Sequence, residues 1–169
     1  TKSEWQKEFL CTLNDYDNFL MGASSSRLLI GNSEQAEILE EYLGSLYGHN
    51  KHCLLYNSGY HANMGILPAI VDKDDLILAD KLIHASIIDA LRLCNCQWKR
   101  FHHNDYENLE KLLQNAQNKY KQIYVVTESV FSMDGDRADL NKLVSLKRKY
   151  NVQLYIDEAH GFGIYGVKG

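Results

Sequence analysis

Residues 122–157 read QIYVVTESVFSMDGDRADLNKLVSLKRKYNVQLYID, and this stretch decides the fold class. Gln122–Thr127 and Val152–Ile156 are apolar runs of strand length, and Leu140–Tyr150 between them carries apolar residues at helical spacing. Both strands are apolar along their length instead of alternating with polar residues. That pattern belongs to strands of a parallel sheet covered by helices on both faces.

The same alternation continues toward the N-terminus. Asp75–Ala79 is a short apolar strand, Ala85–Leu93 a helix, Gln97–Phe101 extended, and Asp105–Ala116 an amphipathic helix. His61–Ile70 has helical spacing, although Pro68 is expected to end it early. His52–Tyr56 is a short apolar run, taken as one more strand end. Glu4–Phe19 and Ser33–Tyr47 are helical, the second with Ser33 as N-cap and a stop before Gly48. The expected fold is α/β, a mostly parallel sheet with helices on both faces. At 169 residues the length suits one domain. The Gly-rich run Gly161–Gly169 follows a strand with no closing helix, so the chain is expected to be a piece of a longer one.

Composition narrows the function. A formal charge of −4 with scattered Lys and Arg argues against a nucleic-acid binder. The run Lys147–Arg148–Lys149 lies on a helix and reads as a solvated face. No stretch approaches the roughly 20 apolar residues of a membrane span, and the first residues lack the pattern of a signal peptide. Cys11, Cys53, Cys94 and Cys96 lack zinc-knuckle spacing, which suggests free thiols in a cytoplasmic protein.

Ligands of parallel sheets bind beyond the carboxyl ends of the strands, and here those ends are polar. They read Asp80-Lys-Leu-Ile-His84, Glu128-Ser-Val-Phe-Ser132, Asp157-Glu-Ala-His160-Gly161 and, after the apolar run, Asn57-Ser58-Gly59-Tyr60-His61. The letters DEAH at Asp157–His160 suggest a nucleotide-driven helicase, but that chemistry needs a GxxxxGK[ST] phosphate cradle, which the sequence lacks. The histidines lack HExxH spacing, so a zinc site is poorly supported. Another use of a strand-end aspartate is to pair with a protonated pyridine nitrogen, which keeps a pyridine cofactor an effective electron sink. A helix cap or a loop salt bridge is the ordinary use of such a residue.

The segments GASSSRLLIGN (22–32), YNSGYHAN (56–63), DKLIHASIIDAL (80–91), HND (103–105), TESVFSMDGDRADL (127–140) and YIDEAHGFGIYG (155–166) together resemble the α-oxoamine synthases. These are pyridoxal-phosphate (PLP) enzymes of the aspartate-aminotransferase fold type. The resemblance implies that Asp157 pairs with the cofactor's ring nitrogen and that His84 stacks on the ring. His160 and Ser132 would lie near the phenolic oxygen, and Ser58, Gly59 and Tyr60 would receive the phosphate at a helix start. Each has a plainer alternative: His84 as a helix cap, Ser132 as a turn residue, Tyr60 as packing. Arg27 is a candidate for a substrate carboxylate, and Glu128 for support of the site.

The family condenses an amino acid with an acyl-CoA or acyl-carrier thioester and releases carbon dioxide, as a homodimer. Ala159 before His160 favours members that join L-alanine to a pimeloyl thioester in biotin synthesis over those that join glycine to acetyl-CoA. On the same basis residues 1–21 would be an N-terminal helical segment and 22–169 an incomplete PLP-binding large domain. The family's Schiff-base lysine has no match in the chain, since Lys168 sits in the Gly-rich loop. The isolated chain is therefore expected to be inactive and to show no specific lysine labelling when reduced with borohydride in the presence of the cofactor.

Overall fold

The structure is a computed structural model that describes residues 2–14, 22 and 25–166. The chain divides into two compact units, residues 1–55 and 56–169.

In the first unit, α1 spans Lys2–Asn14 and α2 spans Glu34–Leu46. The expected continuation of the first helix to Phe19 lies outside the described residues. Ser33 caps α2 as its type predicts, with extended backbone and its hydroxyl accepting from the Ala36 amide at 3.2 Å. Glu34 and Glu37 in the first turn suit the positive end of the helix. Arg27 donates to both Glu40 oxygens at 2.6 and 2.9 Å, and the Leu55 amide donates to Glu40 at 2.7 Å.

The second unit is α3 (Gly59–Ile70), β1 (Leu76–Asp80), α4 (Ala85–Leu93), β2 (Gln97–Phe101), α5 (Tyr106–Ala116), β3 (Ile123–Glu128), α6 (Leu140–Tyr150) and β4 (Gln153–Asp157). The four strands lie in the order β2-β1-β3-β4, and every neighbouring pair is parallel. After β1 the chain adds β2 on one side, then crosses to place β3 on the other. The strand order reverses between β1 and β3, which opens a crevice beyond their carboxyl ends.

The period-2 alternation of strand side chains sorts the core into two clusters. Leu76, Leu78, Ile123 and Val125 face α5 and α6, where Leu109, Leu113, Leu143 and Leu146 meet them. Ile77, Ala79 and Val126 face α3 and α4, packed with Leu67, Ile87 and Leu91. Helices therefore cover both faces, as the apolar strands require.

Two sequence expectations are corrected. Residues 52–56 form no strand and belong to no sheet among the described residues. Pro68 does not end α3, which runs on to Ile70. The proline gives up the bond its own N–H would make to the Met64 carbonyl, but only two residues of the helix follow it, and fully buried Leu67 beside it holds the turn against the sheet.

Candidate active site

The polar strand ends converge on the carboxyl edge of the sheet. Asp80, Glu128 and Asp157 are the last residues of β1, β3 and β4, and Glu128 stands in register with Asp157. His84 follows β1 and is the N-cap of α4; its Nδ1 accepts from the Ser86 amide at 3.2 Å. Its own amide donates to Glu128 Oε1 at 2.5 Å, which ties the loop after β1 to the end of β3 across the crevice. Burial pushes the Glu128 carboxyl above its ordinary range; the His84 amide opposes the shift and the charge of Asp157 adds to it.

Asp157 is held on both oxygens. The Ala159 amide donates to Oδ1 at 2.9 Å, and Asn63 Nδ2 donates to Oδ2 at 2.9 Å. Asn63 lies on α3, so this bond brings the first turns of that helix to the end of β4. Ser58 caps α3, its hydroxyl accepting from the His61 amide at 3.2 Å. The amides of Gly59 and Tyr60 lie in the first turn, where a helix has no partner of its own to offer. A Cβ on Gly59 would meet nothing within 4 Å, so the backbone there is open to an incoming group. The Tyr60 hydroxyl donates to Asp89 of α4, and that carboxylate also pairs with Arg92 at 2.8 Å.

The other expected residues are less tightly placed. Ser132 and His160 are exposed in turns, and neither side chain makes a hydrogen bond among the described residues. Arg27 belongs to the first unit, in the fork with Glu40. Lys168 lies outside the described residues.

Three buried or half-buried partners escaped the sequence reading: Asn63, Ser86 and Tyr155. Asn63 carried the one available signal, an amide in a helix interior, where asparagine usually competes with the backbone. A second polar knot also went unread. His103 lies 2.8 Å from Asp80 and 2.7 Å from Asp136, with its ring edge-on to Phe131.

A parallel sheet in the order β2-β1-β3-β4 with helices on both faces defines an open α/β domain, and its acidic crevice lies at the reversal point, where such sheets bind ligands. More particularly, the chain belongs to the aminotransferase class I and II family, whose model matches residues 5–168. It is 50% identical over 167 residues to 8-amino-7-oxononanoate synthase of Chlorobaculum parvum, covering 99% of this chain and 42% of that protein. The chain thus spans about two-fifths of the length of this curated relative. Serine palmitoyltransferase of Sphingomonas wittichii superposes with a TM-score of 0.86 at 34% identity, covering 94% of this chain and 39% of that one. The S. paucimobilis serine palmitoyltransferase, solved with PLP and myriocin bound, gives 0.81 at 34% identity over 86% of this chain and 37% of that one. The resemblance to the α-oxoamine synthases and the aspartate-aminotransferase fold type are borne out by these relatives.

Proposed function

We propose that the protein carrying this chain is a PLP-dependent α-oxoamine synthase that condenses L-alanine with a pimeloyl thioester, the 8-amino-7-oxononanoate step of biotin synthesis. The substrates are proposed from the likeness to 8-amino-7-oxononanoate synthase, and one observation supports the cofactor site: the Asp157 carboxylate at the end of β4 is held by two donors, and one of them, Asn63 of α3, leads on to Ser86 and His84. These residues suit pyridoxal phosphate chemically, with a carboxylate for a pyridinium nitrogen, an exposed imidazole face for the ring and first-turn amides for the phosphate.

When bound, the cofactor supplies an electron sink for charge developing at the amino-acid α-carbon. Asp157 would keep the ring nitrogen protonated, and His84 would stack on the ring. Ser58, Gly59 and Tyr60 would hold the phosphate. Ser132 and His160 would sit beside the phenolic oxygen. Glu128, through the His84 amide, fixes the loop that presents the imidazole. Arg27, oriented by Glu40, is the candidate for the amino-acid carboxylate. A cytoplasmic homodimer accepting an acyl-CoA or acyl-carrier thioester completes the proposal.

The test is thiol release. The purified protein should liberate free CoA from pimeloyl-CoA with L-alanine, and more slowly from acetyl-CoA with glycine. Asp157→Asn should lower kcat by on the order of a hundred-fold, the loss expected when one partner of a buried charge pair is removed. A faster reaction with glycine and acetyl-CoA would overturn the substrate assignment, and full activity in Asp157→Asn would overturn the site.

A further inference from the structure

Five side chains of the second unit form a branched hydrogen-bond path whose direction follows at each step. It begins at Tyr155 of β4. Burial, aided by the charge of Asp157, pushes its phenol up to about 12, so the hydroxyl remains a donor. It donates to Asn63 Oδ1 at 2.5 Å. An amide that accepts through its oxygen must turn its NH2 the other way. One hydrogen goes to Asp157 Oδ2 and the other to Ser86 Oγ, both at 2.9 Å. Ser86 Oγ stands 2.7 Å from His84 Nδ1, and the Ser86 amide points at the same nitrogen. A backbone N–H only donates. Nδ1 is therefore the acceptor, the Ser86 hydroxyl directs its proton to it, and the neutral ring keeps its own proton on Nε2.

We infer that Asn63 is a positioning residue that holds the Asp157 carboxylate and the His84 imidazole in one fixed relation, with Tyr155 selecting the sense of its amide. The importance of that relation rests on the proposed cofactor site, where Asp157 and His84 contact the same ring. The path itself does not depend on it. Asn63 and Ser86 are 5% and 1% exposed, so water cannot readily replace a missing partner. A buried Asn that merely joined α3 to β4 would need Tyr155 and Asp157 but not the branch to Ser86. The branch is what makes the two cofactor-facing groups interdependent.

Histidine-selective ¹⁵N labelling of the cofactor-free protein tests the path, because its two ring-nitrogen shifts report the His84 tautomer. The wild type should be Nε2–H. Asn63→Leu keeps the branched shape, with somewhat greater volume, and removes both donors together with the acceptor for Tyr155. The buried Ser86 oxygen then lacks a donor, and the Nδ1–H form of His84, which supplies one, should rise several-fold. Tyr155→Phe should shift the tautomer in the same direction by less, since the freed amide can turn over. It deletes a single hydroxyl, so it carries the test if Asn63→Leu does not fold. In a Ser86→Ala background, Asn63→Leu should add nothing.

An unchanged tautomer in both Asn63→Leu and Tyr155→Phe would overturn the inference. So would an Asn63→Leu effect that persists undiminished without the Ser86 hydroxyl. With pyridoxal phosphate added, Asn63→Leu should weaken binding by about ten-fold or more, the usual cost of losing a residue that orients a ligand-binding side chain. Tautomer shifts as expected in a protein that binds no pyridoxal phosphate would support the path and overturn the cofactor site.

Discussion

Gly161 and Ser129 meet where β3 and β4 leave the sheet, and the contact leaves no room for a side chain. A Cβ at position 161 would lie 2.5 Å from Ser129 Oγ, while Ser129 Cβ and Val130 Cγ2 would stay at ordinary contact, 3.5 and 3.6 Å. Gly161→Ala should therefore destabilise the protein by about 1–3 kcal/mol through overpacking. Ser129 Oγ is buried without a hydrogen-bond partner, so Ser129→Ala should be neutral or mildly stabilising. The double variant should recover most of the loss. Denaturant midpoints of the three variants decide it, and a double variant as unstable as Gly161→Ala would show that the clash is with backbone instead. Contacts of this kind are illegible in sequence. GFG after a strand reads as a loop, and only the register of Glu128 with Asp157 shows that this loop lies against the one after β3. Asn63 was hidden for the same reason: its partners are 23, 92 and 94 residues away.

The elements were far more legible than their ends. The helices Ala85–Leu93 and Leu140–Tyr150 and the strand Gln97–Phe101 occur with the bounds expected from periodicity. Three strands instead lie one residue further along than expected, ending on Asp80, Glu128 and Asp157. An apolar run stops at its last apolar residue, whereas a ladder stops at its last backbone partner. Asp80 pairs with Phe101 and Glu128 with Asp157, so the acidic residues belong to the sheet. The loops they lead into are clasped by His103. Its ring joins Asp80, at the end of β1, to Asp136, in the turn after β3, and Asn104 beside it also bonds both carboxylates. Asn104 has φ 51°, a left-handed turn that asparagine tolerates. Burial opposes the charge on His103, but the bonds to Asp80 and Asp136 outweigh it and raise its pKa above the ordinary 6.5. A folded pKa above the unfolded one stabilises the protein fully below the unfolded value, and the gain is lost as pH rises through the folded value. The denaturant midpoint should thus fall between about pH 6.5 and the raised folded value, and His103→Gln should lack that component of the slope. Parallel profiles for the two proteins would show that the clasp holds no proton.

On the scale of the whole second unit, the sheet separates a face that carries the candidate site from a face that only supports it. Asn63, His84 and Ser86 all stand at the starts of α3 and α4, over the cluster of Leu67, Ile87 and Leu91. The other cluster, under α5 and α6, carries none of the residues assigned to the cofactor. Leu67 and Leu113 are both fully buried, one in each cluster, so each Leu→Ala change should cost about 2–5 kcal/mol in cavity and lost burial. Because the sheet lies between them, the two losses should add to within about 0.5 kcal/mol in the double variant. Their effects on the site should differ. Leu67 lies one helical turn beyond Asn63, and relaxation of α3 into its cavity moves the amide that holds Asp157 and Ser86. Leu67→Ala should weaken pyridoxal phosphate binding several-fold below the unfolding transition, whereas Leu113→Ala should leave the affinity of the folded protein unchanged. Equal weakening by both variants would mean that the sheet transmits strain from face to face and that the site has no separate support.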